Sequence, residues 1–296
     1  MTTPAEPGPE LERLLEEVEV NQYLDLYEAL PPAAAEGAGI ALHRQGRRLH
    51  LTARGFDHPM FNRVMGVGLD DGGEPDGVGE AALDRAAEHY GSLGIRRWMV
   101  QLLPHLEGPE LEPRVRARGV VRLRGWAKHL GPASLKITAT TELRLCTMDE
   151  AGITGKEGEG PSEVWAGIVI RNFGLPEAFA PWLAGLGRRD RWRLYLALDG
   201  NTPVATAALF LSDSPAGRFG QLTFGSTLPD HRGRGAQSAL VARRIHDARA
   251  LGAEWIVSET DEDLPDRPNP SYRNMVRLGL PAVYVRGNWG PPKPSE

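Results

Sequence analysis

Hydrophobic residues recur along this chain with two periods, which predicts a protein of mixed α/β class. In some stretches they return every three or four positions, as at Leu240, Val241 and Ile245, and this spacing predicts helices. Shorter stretches rich in β-branched and aromatic residues predict strands. The predicted helices are 11–27, 81–93, 110–118, 161–174, 179–183, 235–251 and 271–278, and the predicted strands are 40–44, 48–52, 61–69, 96–103, 122–129, 142–146, 192–198, 203–211, 221–228, 254–259 and 283–289.

The second half of the chain repeats the order of the first. Helices 81–93 and 235–251 each end at a glycine, and each leads into a strand, a short helix and a final strand that carries a tryptophan, Trp126 or Trp289. Chance similarity between two α/β domains is the alternative, but the paired features favour an internal duplication. The predicted organisation is a disordered lead-in at 1–9, a first domain at 10–131, a linker at 132–141 and a second domain at 142–296.

A tight glycine turn, Arg232 to Gly235, joins a predicted strand to a predicted helix. Such a turn directs unpaired backbone N–H groups and the positive end of the helix dipole to one point, where a phosphate can bind. A Walker loop is excluded because no Gly-Lys-Ser/Thr follows, and a dinucleotide fingerprint lacks its third glycine, since Ser238 stands there. A flexible corner without a ligand is the alternative interpretation.

The turn resembles the pyrophosphate loop of the GNAT superfamily, the acyl-CoA-dependent N-acyltransferases. The family pattern is Arg/Gln-x-x-Gly-x-Gly/Ala, and here Arg232-x-x-Gly235 matches it while Gln237 replaces the last small residue. The segment 269–280 is similar to the family's asparagine-containing helix that ends in Gly-Phe. The resemblance covers about residues 140–290.

This resemblance implies an α/β (α+β) fold of two GNAT-like domains, each a mixed, mostly antiparallel sheet flanked by helices. It implies an enzyme, an N-acetyltransferase that moves acetyl from the co-substrate acetyl-CoA to a primary amine by direct attack on the thioester. The acceptor would be a small molecule or a peptide, no metal would take part, and a homodimer is left open.

In this family the donor lies where one strand parts from its neighbour. Backbone groups near the end of strand 221–228 would pair with the pantetheine arm, and the amides that follow would hold the pyrophosphate. The residues to which the resemblance assigns donor binding are Ser226, Thr227, Leu228, Arg232, Gly233, Arg234, Gly235, Ala236, Gln237, Ser238 and Asn269.

Two residues are candidates for proton transfer. The attacking amine must be neutral, and Glu259 at the end of its strand is the best-placed carboxylate to receive the proton, although a solvated strand-end carboxylate is an equal alternative. Many relatives carry a tyrosine as acid where this chain has Met275. Tyr284 is the candidate replacement, with Tyr272 as the other choice, and a thiolate also leaves without an acid.

The first copy lacks the features of a phosphate site. At the place equivalent to the Arg-Gly turn, residues 70–77 carry four carboxylates, which repel a pyrophosphate. We therefore expect one donor site per chain, in the second domain. Segment 56–63 is the stretch of the first copy that is richest in candidate functional residues. Its His58 is a candidate for lining a cleft shared by the two copies, and a polar loop residue before a strand is the alternative.

Net charge, cysteine content and the length of hydrophobic runs exclude several classes of partner and location. The net charge of -5 argues against a nucleic-acid partner, and the single cysteine, Cys146, allows no internal disulfide. Hydrophobic runs are too short for a membrane span, and the start of the chain is polar rather than a signal peptide, so the expected location is the cytosol. The acidic run 259–266 would attract a cationic amine or is simply a solvated loop.

Two other classes of function remain as alternatives. A non-catalytic CoA-binding or interaction module is favoured by Met275, because the expected acid is missing. A nucleotide-binding oxidoreductase is disfavoured by the missing third glycine.

Overall fold

The computed structural model describes residues 8–70, 77–153, 155 and 158–293. The first half contains α1 (Pro9–Glu28), α2 (Pro32–Ala38), β1 (Ile40–Gln45), β2 (Arg48–Ala53), β3 (Arg63–Met65), α3 (Val78–Ser92), β4 (Met99–Leu102), α4 (Leu111–Arg116), β5 (Val121–Arg122) and β6 (Trp126–Pro132). The second half contains β7 (Arg144–Thr147), α5 (Pro161–Phe173), α6 (Ala180–Gly185), β8 (Trp192–Asp199), β9 (Thr202–Ser214), β10 (Gly217–Thr227), α7 (Ala236–Ala250), β11 (Trp255–Asp261), α8 (Pro270–Arg277) and β12 (Ala282–Gly290). The mixed α/β class predicted from the periodicity is confirmed.

Two predicted strands differ from the structure. The predicted strand 61–69 is reduced to β3, because Gly66 and Gly68 follow it with φ of 74° and 88°, and such left-handed backbone leaves the strand conformation. The predicted strand 122–129 is broken into β5 and β6. At the break, the carbonyl of Gly125 accepts a hydrogen bond from the amide of Glu262, the residue after β11, at 3.0 Å.

All strands join one continuous sheet in the order β1-β2-β3-β4-β12-β6-β11-β10-β9-β8-β7, with β5 added beside β12. Most neighbours are antiparallel, while β3 and β4 run parallel, as do β10 and β11. The parallel pairs occupy equivalent places in the two halves. Helices α3 and α7, which follow β3 and β10 along the chain, each begin after a glycine with positive φ, Gly77 at 81° and Gly235 at 79°.

The last strand of each half crosses into the sheet of the other half. β6 pairs along its whole length with β11, and β12 pairs with β4 through Gly287 to Trp289. The two crossing strands, β6 and β12, also pair with each other. We call this arrangement the strand exchange, and β6 and β12 the exchanged strands. The expectation that strand 122–129 completes the sheet of the first half is therefore wrong, because β6 completes the sheet of the second. The predicted boundary at 131 divides the chain, but the sheet itself is shared.

Helix α1 lies across both halves on one face of the sheet. Its Asn21 amide donates to the Ser212 hydroxyl of β9 at 3.4 Å, and its Glu16 carboxylate accepts a hydrogen bond from the Gly66 amide at 2.8 Å. The indole of Trp182 donates to the Leu26 carbonyl at 2.7 Å. The helix thus links the two halves through polar contacts as well as through its buried leucines and valines.

The two faces of the sheet are covered by different helices. Helices α7 and α8 pack on the face that carries Leu222 and Ile256. Because side chains alternate along a strand, Glu259 points to the opposite face, where α1 lies. No helix in the described part of the chain is long and apolar enough to cross a membrane.

Candidate active site

A groove of about 630 Å³ opens beside the glycine turn. It lies between the end of β10, the start of α7, the C-terminal end of α5 and α8. Its lining residues are Asn172, Phe173, Gly225, Ser226, Thr227, His231, Arg232, Gly233, Gly235, Ala236, Gln237, Ser238, Pro270, Ser271 and Arg277. Eight of the residues predicted to bind the donor are in this lining, from Ser226 to Ser238.

The parallel strands β10 and β11 part as they approach the groove. Their last paired residues are Leu222 and Ser258, although β10 continues to Thr227 and β11 to Asp261. At the parting, the register of β10 against β9 shifts, and Phe224 takes a φ of 50°. A non-glycine residue in this region is strained, and such strain is found most often at functional sites.

The ring of Phe224 holds this bulge in place. It packs edge-on against Trp165 of α5 at 5.5 Å between ring centroids, and against Trp192 of β8 at 6.2 Å. Two residues further along β10, the Ser226 hydroxyl forms hydrogen bonds with the Asn172 side chain of α5 at 3.0 Å and with the Thr206 hydroxyl of β9 at 2.8 Å. The parted end of β10 is therefore fixed from the α5 side and remains open toward β11.

The glycine turn leads into α7 without a side-chain cap. Gly235 is the N-cap residue, and in the described structure no side chain accepts a hydrogen bond from the first turn of the helix. The N–H groups of this turn are left for a ligand, and the helix dipole adds positive potential. A Cβ at Gly235 would lie 2.4 Å from the Thr140 carbonyl oxygen, whereas one at Gly233 would meet nothing within 4 Å. Only glycine fits at Gly235.

The two arginines of the turn have different surroundings. Arg232 lines the groove, and its Nε donates to the Thr227 carbonyl at 3.3 Å. Arg234 turns away and donates to both carboxylate oxygens of Asp199, at 2.5 and 3.2 Å. This pairing lowers the pKa of Asp199. Of these two arginines, Arg232 alone presents its charge to the groove, and the expectation that Arg234 also does so is wrong.

Two other predicted residues also lie outside the lining. The expectation of a free amide at Leu228 is wrong, because this amide donates to the Val204 carbonyl at 2.9 Å. Asn269 is the N-cap of α8, where its side-chain oxygen accepts from the amides of Ser271 and Tyr272. Asn269 therefore positions α8, whose Ser271 does line the groove.

Some lining residues were missed by the sequence analysis. Arg277 of α8 brings a second cation, and it donates to the Ser238 hydroxyl at 2.9 Å. Asn172 and Phe173 come from the C-terminal end of α5, which was predicted only as a helix over the cleft. Phe173 is 44% exposed at the end of α5, but exposure cannot be inferred from the sequence, so no local signal identified it as a lining residue.

Glu259 belongs to a buried cluster of charges on the α1 face. One of its oxygens accepts from Arg286 at 2.6 Å and lies 3.1 Å from the Lys128 ammonium. Burial raises the pKa of Glu259 above its ordinary value, although the charges of Arg286 and Lys128 act in the opposite direction. The carboxylate is 20% exposed, so it is the member of the cluster that solvent reaches. The alternative of a freely solvated strand-end carboxylate does not fit these contacts.

The candidate acids are placed differently. Tyr284 is buried on the α1 face, its hydroxyl has no hydrogen-bond partner among the described residues, and burial raises its pKa well above the usual range. These surroundings do not favour proton donation. Tyr272 lies on the α8 face with its ring edge-on to His129 at 5.1 Å, and Met275 is buried.

His129 connects the exchanged strand β6 to the parted end of β11. Its Nδ1 lies 2.9 Å from the Leu280 carbonyl, and its Nε2 lies 3.0 Å from the Thr260 hydroxyl. Burial lowers the pKa of His129, so the ring is neutral at pH 7. Since a carbonyl only accepts, Nδ1–H donates to Leu280 and Nε2 accepts from Thr260. No pattern in the sequence predicts this contact.

Most of the acidic run 259–266 is paired with arginines. Asp261 lies 3.2 Å from Arg124, Glu262 lies 3.3 Å from Arg122, and Asp263 lies 2.9 Å from Arg273. Much of the negative charge is thus neutralised locally. His58 of the first half stacks on Phe56, and it does not line the groove.

Comparison with known proteins identifies the class of this domain. The sequence model of the Acetyltransferase (GNAT) family matches residues 166–267, a range that includes the bulge of β10, the glycine turn and β11. The chain therefore contains a GNAT acetyltransferase domain, as the resemblance predicted, and this family supports acyl transfer in general. No curated protein matches the chain.

Solved structures of similar fold extend over both halves. A GCN5-related N-acetyltransferase from Kribbella flavida is 18% identical with a TM-score of 0.56, covering 91% of this chain and 96% of that one. A tandem GNAT protein from the clavulanic acid biosynthesis pathway is 16% identical with a TM-score of 0.54, covering 94% and 96%. A GCN5-related N-acetyltransferase from Sphaerobacter thermophilus is 15% identical with a TM-score of 0.52, covering 82% and 79%. At such identities the likeness shows the fold, and it confirms the predicted class.

Proposed function

We propose that this protein is an N-acetyltransferase that moves acetyl from acetyl-CoA to a primary amine of a small molecule or peptide. One observation carries the proposal: the parted strands β10 and β11 lead directly to the uncapped start of α7. A long ligand with a diphosphate at one end and an extended amide-rich arm at the other fits such a groove. The family match supports the same donor.

In this proposal the diphosphate binds at the glycine turn. The amides from Gly233 to Ser238 donate to its oxygens, and Arg232 adds a charge-assisted hydrogen bond. The pantetheine arm lies along the open edge of β10 near Ser226 and Thr227. Arg234 and Asn269 hold the turn and α8 in position without touching the donor.

The reaction is direct transfer. The amine nitrogen attacks the thioester carbon, the C–S bond breaks, and coenzyme A leaves as a thiolate. A backbone amide at the bulge of β10 stabilises the oxyanion of the tetrahedral intermediate. Glu259, on the α1 face, receives the proton lost by the amine, directly or through water. A thiol has an ordinary pKa of about 8.5, so the thiolate leaves without a dedicated acid.

The first half binds no donor in this proposal. The Gly66 amide at the end of β3, which lies in the position equivalent to the open edge of β10, already donates to the buried Glu16 carboxylate. Asp70 begins the predicted acidic loop, and residues 71–76 lie outside the described residues. We also propose, as the sequence analysis predicts, that the protein acts in the cytosol and does not bind nucleic acid.

A non-catalytic CoA-binding module is the second candidate, because Met275 is buried and the Tyr284 hydroxyl has no partner in the described structure. Release of free thiol from acetyl-CoA across a panel of amines separates the two. We expect amine-dependent thiol release by the natural chain and none by Gly235→Asp. Binding of acetyl-CoA without thiol release for any amine would support the module and contradict the enzyme.

A further inference from the structure

Arg63 of β3 is a buried cation without hydrogen bonds. Its side chain is fully inaccessible to solvent, and none of its three guanidinium nitrogens has a hydrogen-bond partner among the described residues. The nearest carboxylate, Glu19, lies 3.9 Å away, which is too far for a hydrogen bond. Buried polar groups in native proteins are nearly always hydrogen-bonded, and an unmade hydrogen bond is costly. Glu19 offsets the charge of Arg63, but the N–H donors of the guanidinium lack a partner among the described residues.

The geometry around Arg63 defines what that partner is. Two aromatic rings pack against the guanidinium, whose central carbon lies 4.1 Å from the ring centroid of Tyr23 and 5.0 Å from that of Trp126. The N–H donors of a guanidinium point outward in its plane. Because these in-plane donors are unpaired, the complementary group is a planar anion, and a carboxylate binds such a fork with two parallel hydrogen bonds.

The neighbouring carboxylates are already used. Glu16 and Glu19 both accept hydrogen bonds from Arg286, and Lys128 donates to Glu19 at 2.6 Å. Glu259 accepts from Arg286 as well. Each cation of this cluster other than Arg63 is thus hydrogen-bonded, so Arg63 is the member left for a ligand.

Arg63 lies close to the proposed base. Arg63 and Arg286 lie over the same Trp126 ring, with 5.0 and 5.9 Å between their central carbons and the ring centroid, and Arg286 donates to Glu259 at 2.6 Å. An acceptor amine beside Glu259 would place a nearby carboxylate of the same molecule at Arg63. Tyr23 and Trp126 are half-buried whereas Arg63 is inaccessible to solvent, so a ligand reaches Arg63 only when one of these two side chains turns aside.

We propose that Arg63 binds the carboxylate of the acceptor, so that the acceptor is an amino acid or another amine carrying a carboxylate. The inference rests on the proposed function and adds the class of its substrate. It also gives the first half a part in the site, since β3, α1 and β6 supply Arg63, Tyr23 and Trp126.

The test compares amines that differ only in the carboxylate: glycine with methylamine, β-alanine with ethylamine, and L-phenylalanine with phenethylamine. For the natural chain we expect kcat/KM to be at least tenfold higher for at least one carboxylate-bearing member than for its partner. In Arg63→Met this ratio should fall toward one, and Arg63→Lys should retain part of it. Arg191→Met is the matched control, because Arg191 also lies over an aromatic ring, Phe210 at 4.5 Å, but outside the cluster.

Three outcomes would overturn the inference while leaving the enzyme in place: no preference for the carboxylate in the natural chain, an equal loss for both members of each pair in Arg63→Met, or the same loss of ratio in Arg191→Met. If Arg63→Met does not fold, Arg63→Lys carries the same comparison. If no amine supports thiol release, the proposed function fails separately. Calorimetric titration of the same amino acids then tests the site alone: binding that Arg63→Lys weakens at least tenfold supports it, and no binding to the natural chain refutes it.

Discussion

Arg286 on the last strand donates a hydrogen bond to Glu19 on the first helix at 2.6 Å, and both side chains are buried. Arg286 reaches this position because β12 lies at the centre of the shared sheet, between β4 and β6. The pair therefore ties the two ends of the chain together at the junction of the halves. Lys128 on the other exchanged strand donates to the same carboxylate at 2.6 Å.

Loss of the Glu19 charge should destabilise the whole protein. Burial alone would raise the pKa of Glu19, but the charges of Arg286, Lys128 and Arg63 hold it well below its ordinary value. Removing one partner of a buried ion cluster leaves other charges uncompensated, so Glu19→Gln should lower the free energy of unfolding by about 3–5 kcal/mol. Urea denaturation at pH 7 measures this loss.

The same substitution should alter the pH dependence of stability. A folded-state pKa below the unfolded value means that the stabilisation is complete above the unfolded pKa and is lost as the pH falls through the folded one. Glu19→Gln should therefore lose less stability than the natural chain on acidification. Glu17→Gln is the control, since Glu17 pairs at the surface with Arg47 and should matter by at most about 1 kcal/mol. Equal effects of both substitutions would contradict the role of the cluster.

Gly235→Asp should strongly weaken acetyl-CoA binding. The substitution places a Cβ against the Thr140 carbonyl and a negative charge where phosphate approaches the amides. Losing two charge-assisted hydrogen bonds, each about 1.5 kcal/mol, predicts a loss of affinity of about 100-fold. Gly233→Ala should cost less, because its φ of 79° is strained for alanine but the space is open. Unchanged affinity in a folded Gly235→Asp protein, measured by calorimetry, would exclude the groove as the donor site.

The two arginines of the turn should differ in effect, although the sequence pattern treats them alike. Arg232→Glu should abolish donor binding and Arg234→Glu should weaken it less, because Arg234 is paired with Asp199 outside the groove. Calorimetry of the natural chain should give about one acetyl-CoA per chain. Two equivalent sites, or one site that survives Arg232→Glu, would show that the first half binds the donor.

Sequence reasoning found those parts of the site that depend on local structure. A glycine turn between a strand and a helix is encoded within a few residues, so Gly233, Gly235 and the start of α7 could be predicted with their geometry. Arg277 and Asn172 reach the same groove from α8 and α5, and their approach depends on how distant elements pack. The direction of the Arg234 side chain could not be predicted either, because it depends on Asp199, which lies on a distant strand.

The strand exchange illustrates the same limit at the level of the fold. The pattern of 122–129 predicts a strand, but nothing within those residues specifies which edge the strand joins. Lys128 and His129 are polar residues that are fully buried, and their partners Glu19 and Leu280 lie far away along the chain. A buried ion pair between distant residues has no signature in a single sequence, so the fold class was predictable and the shared sheet was not.

Glu259→Gln should change the pH dependence of turnover. A base is needed most where the amine is largely protonated, so the substitution should lower kcat/KM most at low pH, by about 100-fold or more, with partial recovery as the pH rises. Asp261→Asn is the matched control, because Asp261 is a neighbouring carboxylate on the same strand, paired with Arg124. A pH–rate profile that is unchanged in Glu259→Gln, or changed equally in Asp261→Asn, would assign the proton transfer elsewhere.

The strand exchange predicts that neither half folds alone. A fragment of residues 137–296 lacks β6, so the whole edge of β11 loses its partner strand and Glu259 loses Lys128. A fragment of residues 1–136 lacks β12, which leaves β4 unpaired on one side. Exposed, unpaired strand edges promote aggregation, so each fragment expressed separately should be largely insoluble. Expressed together, the two should recover a soluble one-to-one complex that binds acetyl-CoA, because the cut after the exposed Lys136 leaves every strand intact. A soluble, folded 137–296 fragment that binds acetyl-CoA with the affinity of the intact chain would show that the second half is an independent domain and that the exchanged strand is dispensable.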